Sequence, residues 1–118
     1  MIALGDIREE LKEIRYYMSR KAVFDKSAIC VGKNTIEDRI KIYNRYICNA
    51  TPRLYDIYVS LYLENNTQES LAQKLGISLE YMSRLNGMLV KFFQQKFIED
   101  ENIWWGEIWK QYEIVMVN

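Results

Sequence analysis

Side chains able to do chemistry are few in this 118-residue chain, and their spacing argues against catalysis. Histidine is absent, which removes the commonest general base and the commonest metal ligand together. Cys30 and Cys48 stand 18 residues apart with no CxxC pair, so neither spacing nor ligand number suits zinc. They read as buried free thiols. The acidic run Glu99, Asp100, Glu101 reads as a solvated linker rather than an acid and base pair. The sequence contains no P-loop, no GxSxG and no dinucleotide fingerprint. These absences predict a protein that is not an enzyme and takes no metal, cofactor or small-molecule substrate.

The elements that could position a binding surface are helical throughout. Hydrophobic residues make up 49% and charged residues 27% of the chain, enough apolar surface for one folded domain and too much for a disordered chain. Leu4, Ile7, Leu11, Ile14 and Met18 step by three and four, the pattern of an amphipathic helix that could run on through Ala22 and Phe24. Its stripe suits a partner helix in this chain or another, and Glu9, Lys12, Glu13 and Arg15 occupy its outer side. A break around Gly32 precedes a second helix with an Asn34 and Glu37 capping box. That helix has Ile36, Ile40, Tyr43 and Ile47 inside and Arg39, Lys41 and Arg45 in water. Thr51 and Pro52 start a third, which carries Leu54, Ile57, Tyr58, Leu61 and Tyr62 and stops at Asn65 and Asn66. The tyrosines 16, 17, 43, 46, 55, 58 and 62 keep helical spacing, which favours core packing over base stacking.

Gln68 to Leu85, QESLAQKLGISLEYMSRL, is the most specific stretch. Ala72 allows close helix approach, and Gly76 can adopt the positive φ of a helix-ending turn. Ser78 can cap a following helix reaching to about Phe93. Leu71, Leu75, Ile77, Met82 and Leu85 fall where two crossed helices share a small core. The reading is an all-α bundle of about five helices containing a helix-turn-helix. Residues 1–50 form an N-terminal packing or dimerisation region, 51–97 the helix-turn-helix unit, and 98–118 an acidic, Trp-rich tail.

From Thr51 to Phe93 the chain resembles region 4 of bacterial sigma factors, with a support helix, a short helix and turn, and a recognition helix. More loosely, the whole chain is similar to phage-encoded sigma-like regulators related to the autolysin regulator. The resemblance implies a phage or prophage transcription regulator that reads double-stranded DNA with the start of its recognition helix in the major groove. The matching positions are Ser78, Leu79, Glu80, Ser83 and Arg84, with Asn86 and Gly87 further along. Lys91 lies near the end of that helix, Arg53 and Thr67 could hold flanking phosphates, and Gln68 joins the candidate DNA-binding set. Arg84 is expected to contact a base or a phosphate. Leu79 could touch a thymine methyl or pack on a neighbour, and Glu80 reads as a complement to the helix dipole rather than an acceptor from cytosine.

Lys plus Arg and Asp plus Glu both number 16, giving zero net charge. By segment, residues 1–50 carry +3, 51–97 carry +1 and 98–118 carry −4, so neutrality joins a mildly basic body to an acidic tail. The recognition helix is still poor in cations for a DNA reader, which implies a homodimer or help from RNA polymerase. Trp104, Trp105, Trp109 and Tyr112 read as an oligomer interface rather than a lid over the bundle. A rival reading keeps the same scaffold as a protein-binding inhibitor or adaptor directed at RNA polymerase or a host defence nuclease. With no signal-like start and no 18-residue apolar run, the expected location is the bacterial cytoplasm.

Overall fold

The computed structural model describes the backbone of residues 4–21 and 33–117, and the side chains of 4–21 and 35–100. It is helical, with no strand among the described residues. In chain order the helices are α1 (Leu4–Ser19), α2 (Lys33–Ile47), α3 (Pro52–Tyr58), α4 (Gln68–Leu75) and α5 (Leu79–Val117), and α3 runs on into a π-helical turn over Val59–Leu63.

Apolar periodicity builds one core. Ile7, Leu11 and Ile14 of α1 join Tyr43, Tyr46 and Ile47 of α2, Leu54, Ile57 and Tyr58 of α3, Leu71 and Ala72 of α4, and Met82, Leu85, Leu89, Val90 and Phe93 of α5. The α1 stripe is therefore satisfied within this chain, and no exposed seam is left on that face. Each fully buried aliphatic side chain contributes about 1.5–3 kcal/mol, so α1 is held chiefly by Ile7, Leu11 and Ile14, all inaccessible to solvent.

Pairwise contacts fix the directions. The Tyr43 ring meets Phe93 at 4.7 Å and Phe97 at 5.5 Å, and Tyr46 meets Phe97 at 5.0 Å. Later residues of α2 thus meet later residues of α5, and the two helices run parallel. Tyr62 bonds Asn86 while Tyr58 meets Phe93 at 5.5 Å, so α3 runs antiparallel to α5. Tyr17 donates to Glu37 at 2.9 Å and Tyr43 donates to Glu10, which sets α1 antiparallel to α2.

Thr51 caps α3 with extended backbone and accepts from Leu54 N–H at 3.5 Å, with Pro52 in the first turn. Asn65, at φ 62°, ends the π turn. Its wide ladder is closed by Glu64 N–H donating to Val59 O at 2.9 Å and Asn66 N–H donating to Ser60 O at 2.9 Å. Periodicity alone did not predict the π turn, because Leu61 and Tyr62 face the core under either ladder.

Several expectations are corrected. Cys48 is exposed and donates to Asn44 O at 3.2 Å, so it is not a buried thiol, and Cys30 lies outside the described residues. Arg39 does not stay in water: it lies half-buried between Glu13 and Glu10, because α1 sets two carboxylates against it. Glu37 receives the Tyr17 hydroxyl, while the Asn34 side chain lies outside the described residues, as do Ala22 and Phe24. Tyr16 and Tyr55 are exposed, unlike Tyr17, Tyr43, Tyr46, Tyr58 and Tyr62. The acidic run is no linker, since α5 continues through it. Glu99 pairs with Lys96 at 3.4 Å, and Asp100 accepts from Tyr46 and lies 3.8 Å from Arg45. Beyond Asp100 the helix continues for about 25 Å at about 1.5 Å per residue.

Candidate functional site

The joint between α4 and α5 is built by local chemistry. Thr67, in extended conformation, accepts from Ser70 N–H at 3.1 Å and starts α4. Gly76 ends it at φ 68°, ψ 33°. Ile77 N–H donates to Ala72 O at 3.0 Å and Gly76 N–H to Gln73 O at 3.2 Å, the paired bonds of a Schellman ending. Ser78 then accepts from Tyr81 N–H at 3.1 Å, capping α5 two residues after the glycine. Leu71 and Ala72 on one side and Met82 and Leu85 on the other bury the joint. Ile77 packs at its edge, but Leu75 is 37% exposed. The spacing predicts Leu75 inside, but at the last position of α4 it stays partly in solvent.

The outward side of α5 carries Leu79, Glu80, Ser83, Arg84 and Lys91, all exposed, with Gly87 half-buried among them. Ser83, Gly87 and Lys91 follow one another at four-residue steps, as do Glu80 and Arg84, so these side chains share one helix face. Among the described residues neither Arg84 nor Lys91 has an ion-pair partner. Tyr81 and Met88, seven residues apart, form an exposed apolar edge beside that face. Arg53 is exposed on α3, and Thr67 is exposed at the start of α4 with its O–H still able to donate. Gln68 is half-buried.

Asn86 is a correction. It is 8% exposed and accepts the Tyr62 hydroxyl, so it braces α5 against the π turn and does not face outward. The spacing Met82, Asn86, Leu89, Phe93 already puts it on the inner stripe, a signal that its polarity masked. Burial drives the Tyr62 pKa upward, opposed by the Asn86 hydrogen bond and by the charges of Arg8 and Arg15. The two α1 arginines therefore lie on the side of Tyr62 in the π turn, a proximity not read from the sequence.

Among the described residues no group of three or more Cys, Asp or Glu could hold a metal ion. No described helix is long and apolar enough to cross a membrane. The side chains of Trp104, Trp105, Trp109 and Tyr112 lie outside the described residues, although their backbone is helical. Comparison with family models, with curated proteins and with solved structures returns no match.

Proposed function

We propose that the chain is a sequence-specific DNA-binding regulator of phage or prophage transcription, in which α4, the Gly76 turn and α5 act as a sigma region 4-like helix-turn-helix. The observation that carries this reading is a buried, doubly capped joint that leaves Glu80, Ser83, Arg84 and Lys91 on one outward face, with both cations lacking an ion-pair partner among the described residues. In the major groove Arg84 and Ser83 contact base edges or phosphates. Arg53, Thr67, Gln68 and Lys91 hold the flanking backbone, and Leu79 meets a thymine methyl. RNA polymerase is a candidate second partner. Two copies pair through the Trp104, Trp105, Trp109 and Tyr112 end of α5, and the protein works in the host cytoplasm.

The test is duplex DNA binding across a salt series. A steep fall of affinity with salt is expected, and Arg84→Ala should weaken specific binding by about tenfold to a hundredfold with the circular dichroism spectrum unchanged. No binding to DNA at low salt would overturn the reading. One feature favours a second reading: Leu75, Leu79, Tyr81 and Met88 are exposed along the same elements. That surface suits a protein partner, as in an inhibitor or adaptor acting on RNA polymerase or a defence nuclease.

A further inference from the structure

Helix α1 sorts its charges by flank. Glu10 and Glu13 face α2, where Arg39 lies 3.9 Å from Glu10 and pairs with Glu13, and the Tyr43 hydroxyl donates to Glu10. The acidic flank thereby finds its partners within the fold. Arg8, Lys12 and Arg15 follow one another at steps of four and three on the other flank, which the helical repeat places along a single line. Among the described residues neither Arg8 nor Arg15 has an ion-pair partner, and Lys12 meets only Glu9, at 3.5 Å with both side chains solvated. A pair so exposed does little to neutralise either charge toward a ligand.

This basic flank lies toward the π turn. A cleft of about 240 Å³ opens between α1 and the end of that turn, lined by Lys12, Arg15, Tyr16, Ser19 and Asn65. Asn65 stands two residues before Thr67, the cap of α4. Arg8 and Arg15 also flank Tyr62, whose hydroxyl bonds Asn86, three residues along α5 from the outward Ser83. The cations of α1 therefore lie beside the chain segment that leads from the π turn through Asn65 to the start of α4.

We propose that Arg8, Lys12 and Arg15 form a clamp for the phosphodiester backbone of DNA, with the cleft that Lys12 and Arg15 line seating a phosphate. The proposal rests on the DNA-binding reading above and deepens it. The row from Arg8 to Arg15 is about 10 Å long at about 1.5 Å per residue, which matches about three nucleotides of one strand at about 3.4 Å each. The clamp also accounts for the sparse cations of α5: the charge that a phosphate contact needs is carried on a helix distant in sequence and brought alongside by folding.

The experiment compares the full chain with Arg8→Gln/Arg15→Gln, Arg8→Lys/Arg15→Lys and, as a charge-matched control on α2, Lys41→Gln/Arg45→Gln. Each is titrated against mixed-sequence duplex DNA over a salt series, with urea midpoints confirming the fold. Each lost phosphate contact lowers the salt slope by about 0.9. The glutamine pair should therefore reduce the slope by about two and weaken binding by about tenfold at physiological salt. The lysine pair should keep the slope, and the α2 pair should change it little. An unchanged slope for the glutamine pair, with DNA binding intact in the unaltered chain, overturns the clamp alone. An equal loss from the α2 pair does the same, since it would mark a general charge effect. Failure of the unaltered chain to bind DNA overturns the clamp together with the reading beneath it.

Discussion

The α1–α2 pair and the α4–α5 pair treat their polar groups in opposite ways. Between α1 and α2 the polar side chains turn to one another: Tyr17 to Glu37, Tyr43 to Glu10, Arg39 to Glu13. Between α4 and α5 the polar groups serve the backbone as caps at Thr67 and Ser78, and the outward Arg84 and Lys91 have no ion-pair partner among the described residues. Polar groups bonded across a helix pair fix its geometry and have little capacity left for a ligand. The α4–α5 joint obtains its geometry from caps and a glycine, so its outer face remains available.

This contrast predicts that changes at the first pair act on stability and changes at the second on a localised joint and on binding. Tyr43→Ala should have the largest effect. It removes a fully buried ring packed on Phe93 and Phe97, which should cost about 3–5 kcal/mol in urea unfolding by analogy with other buried aromatics. A loss under 1 kcal/mol would show that α2 is not part of the cooperative core.

Alkaline pH should follow. Burial pushes Tyr43, Tyr58 and Tyr62 above the ordinary tyrosine range, and burial with the Asp100 bond pushes Tyr46 up to about 12. A raised folded-state pKa means that the stability is fully present below the unfolded value of about 10 and is lost as pH rises through the folded value. Phenolate absorbance of these four should therefore rise together with loss of helix, between about pH 10 and 12 and beyond. Ionisation of all tyrosines near pH 10 with the helix content intact would contradict the burial.

Smaller effects belong to the second pair. At Gly76 a Cβ would meet nothing within 4 Å, so the penalty of Gly76→Ala comes from the positive φ alone. It should cost about 1–2 kcal/mol, and Gly76→Asn less. Ser78→Ala removes the cap of α5 and should cost about 1 kcal/mol, while hydrogen exchange should accelerate at Leu79 to Tyr81 and leave α1 unaffected. Acceleration spread equally over both pairs would erase the distinction between them.

Features controlled within one turn of chain were legible from residue order. Thr51, Asn65, Gly76 and Ser78 act as the sequence predicts, because a cap or a positive φ depends on a few neighbouring residues. The stripe Ile7, Leu11, Ile14 is buried for a similarly local reason, its period matching the helical repeat. The candidate face was legible in part: Ser78, Leu79, Glu80, Ser83, Arg84 and Lys91 are exposed, whereas Asn86 turns inward to Tyr62. The unbroken run of α5 through Glu99 to Glu101 was missed because acidic composition was read as a linker, although glutamate is a good helix former.

The sequence by itself determined where most helices start and stop and which stripe of each is apolar, since these follow from hydrogen bonds and periodicity over a few residues. Tertiary structure alone decided which polar side chains meet partners far along the chain. Arg39 finds Glu13 from 26 residues away and Asp100 finds Tyr46 from 54, while among the described residues Arg8, exposed, and Arg15, half-buried, have no ion-pair partner. Coulomb and hydrogen-bond energies depend on separation in space, and only the packed bundle brings together groups so far apart along the chain.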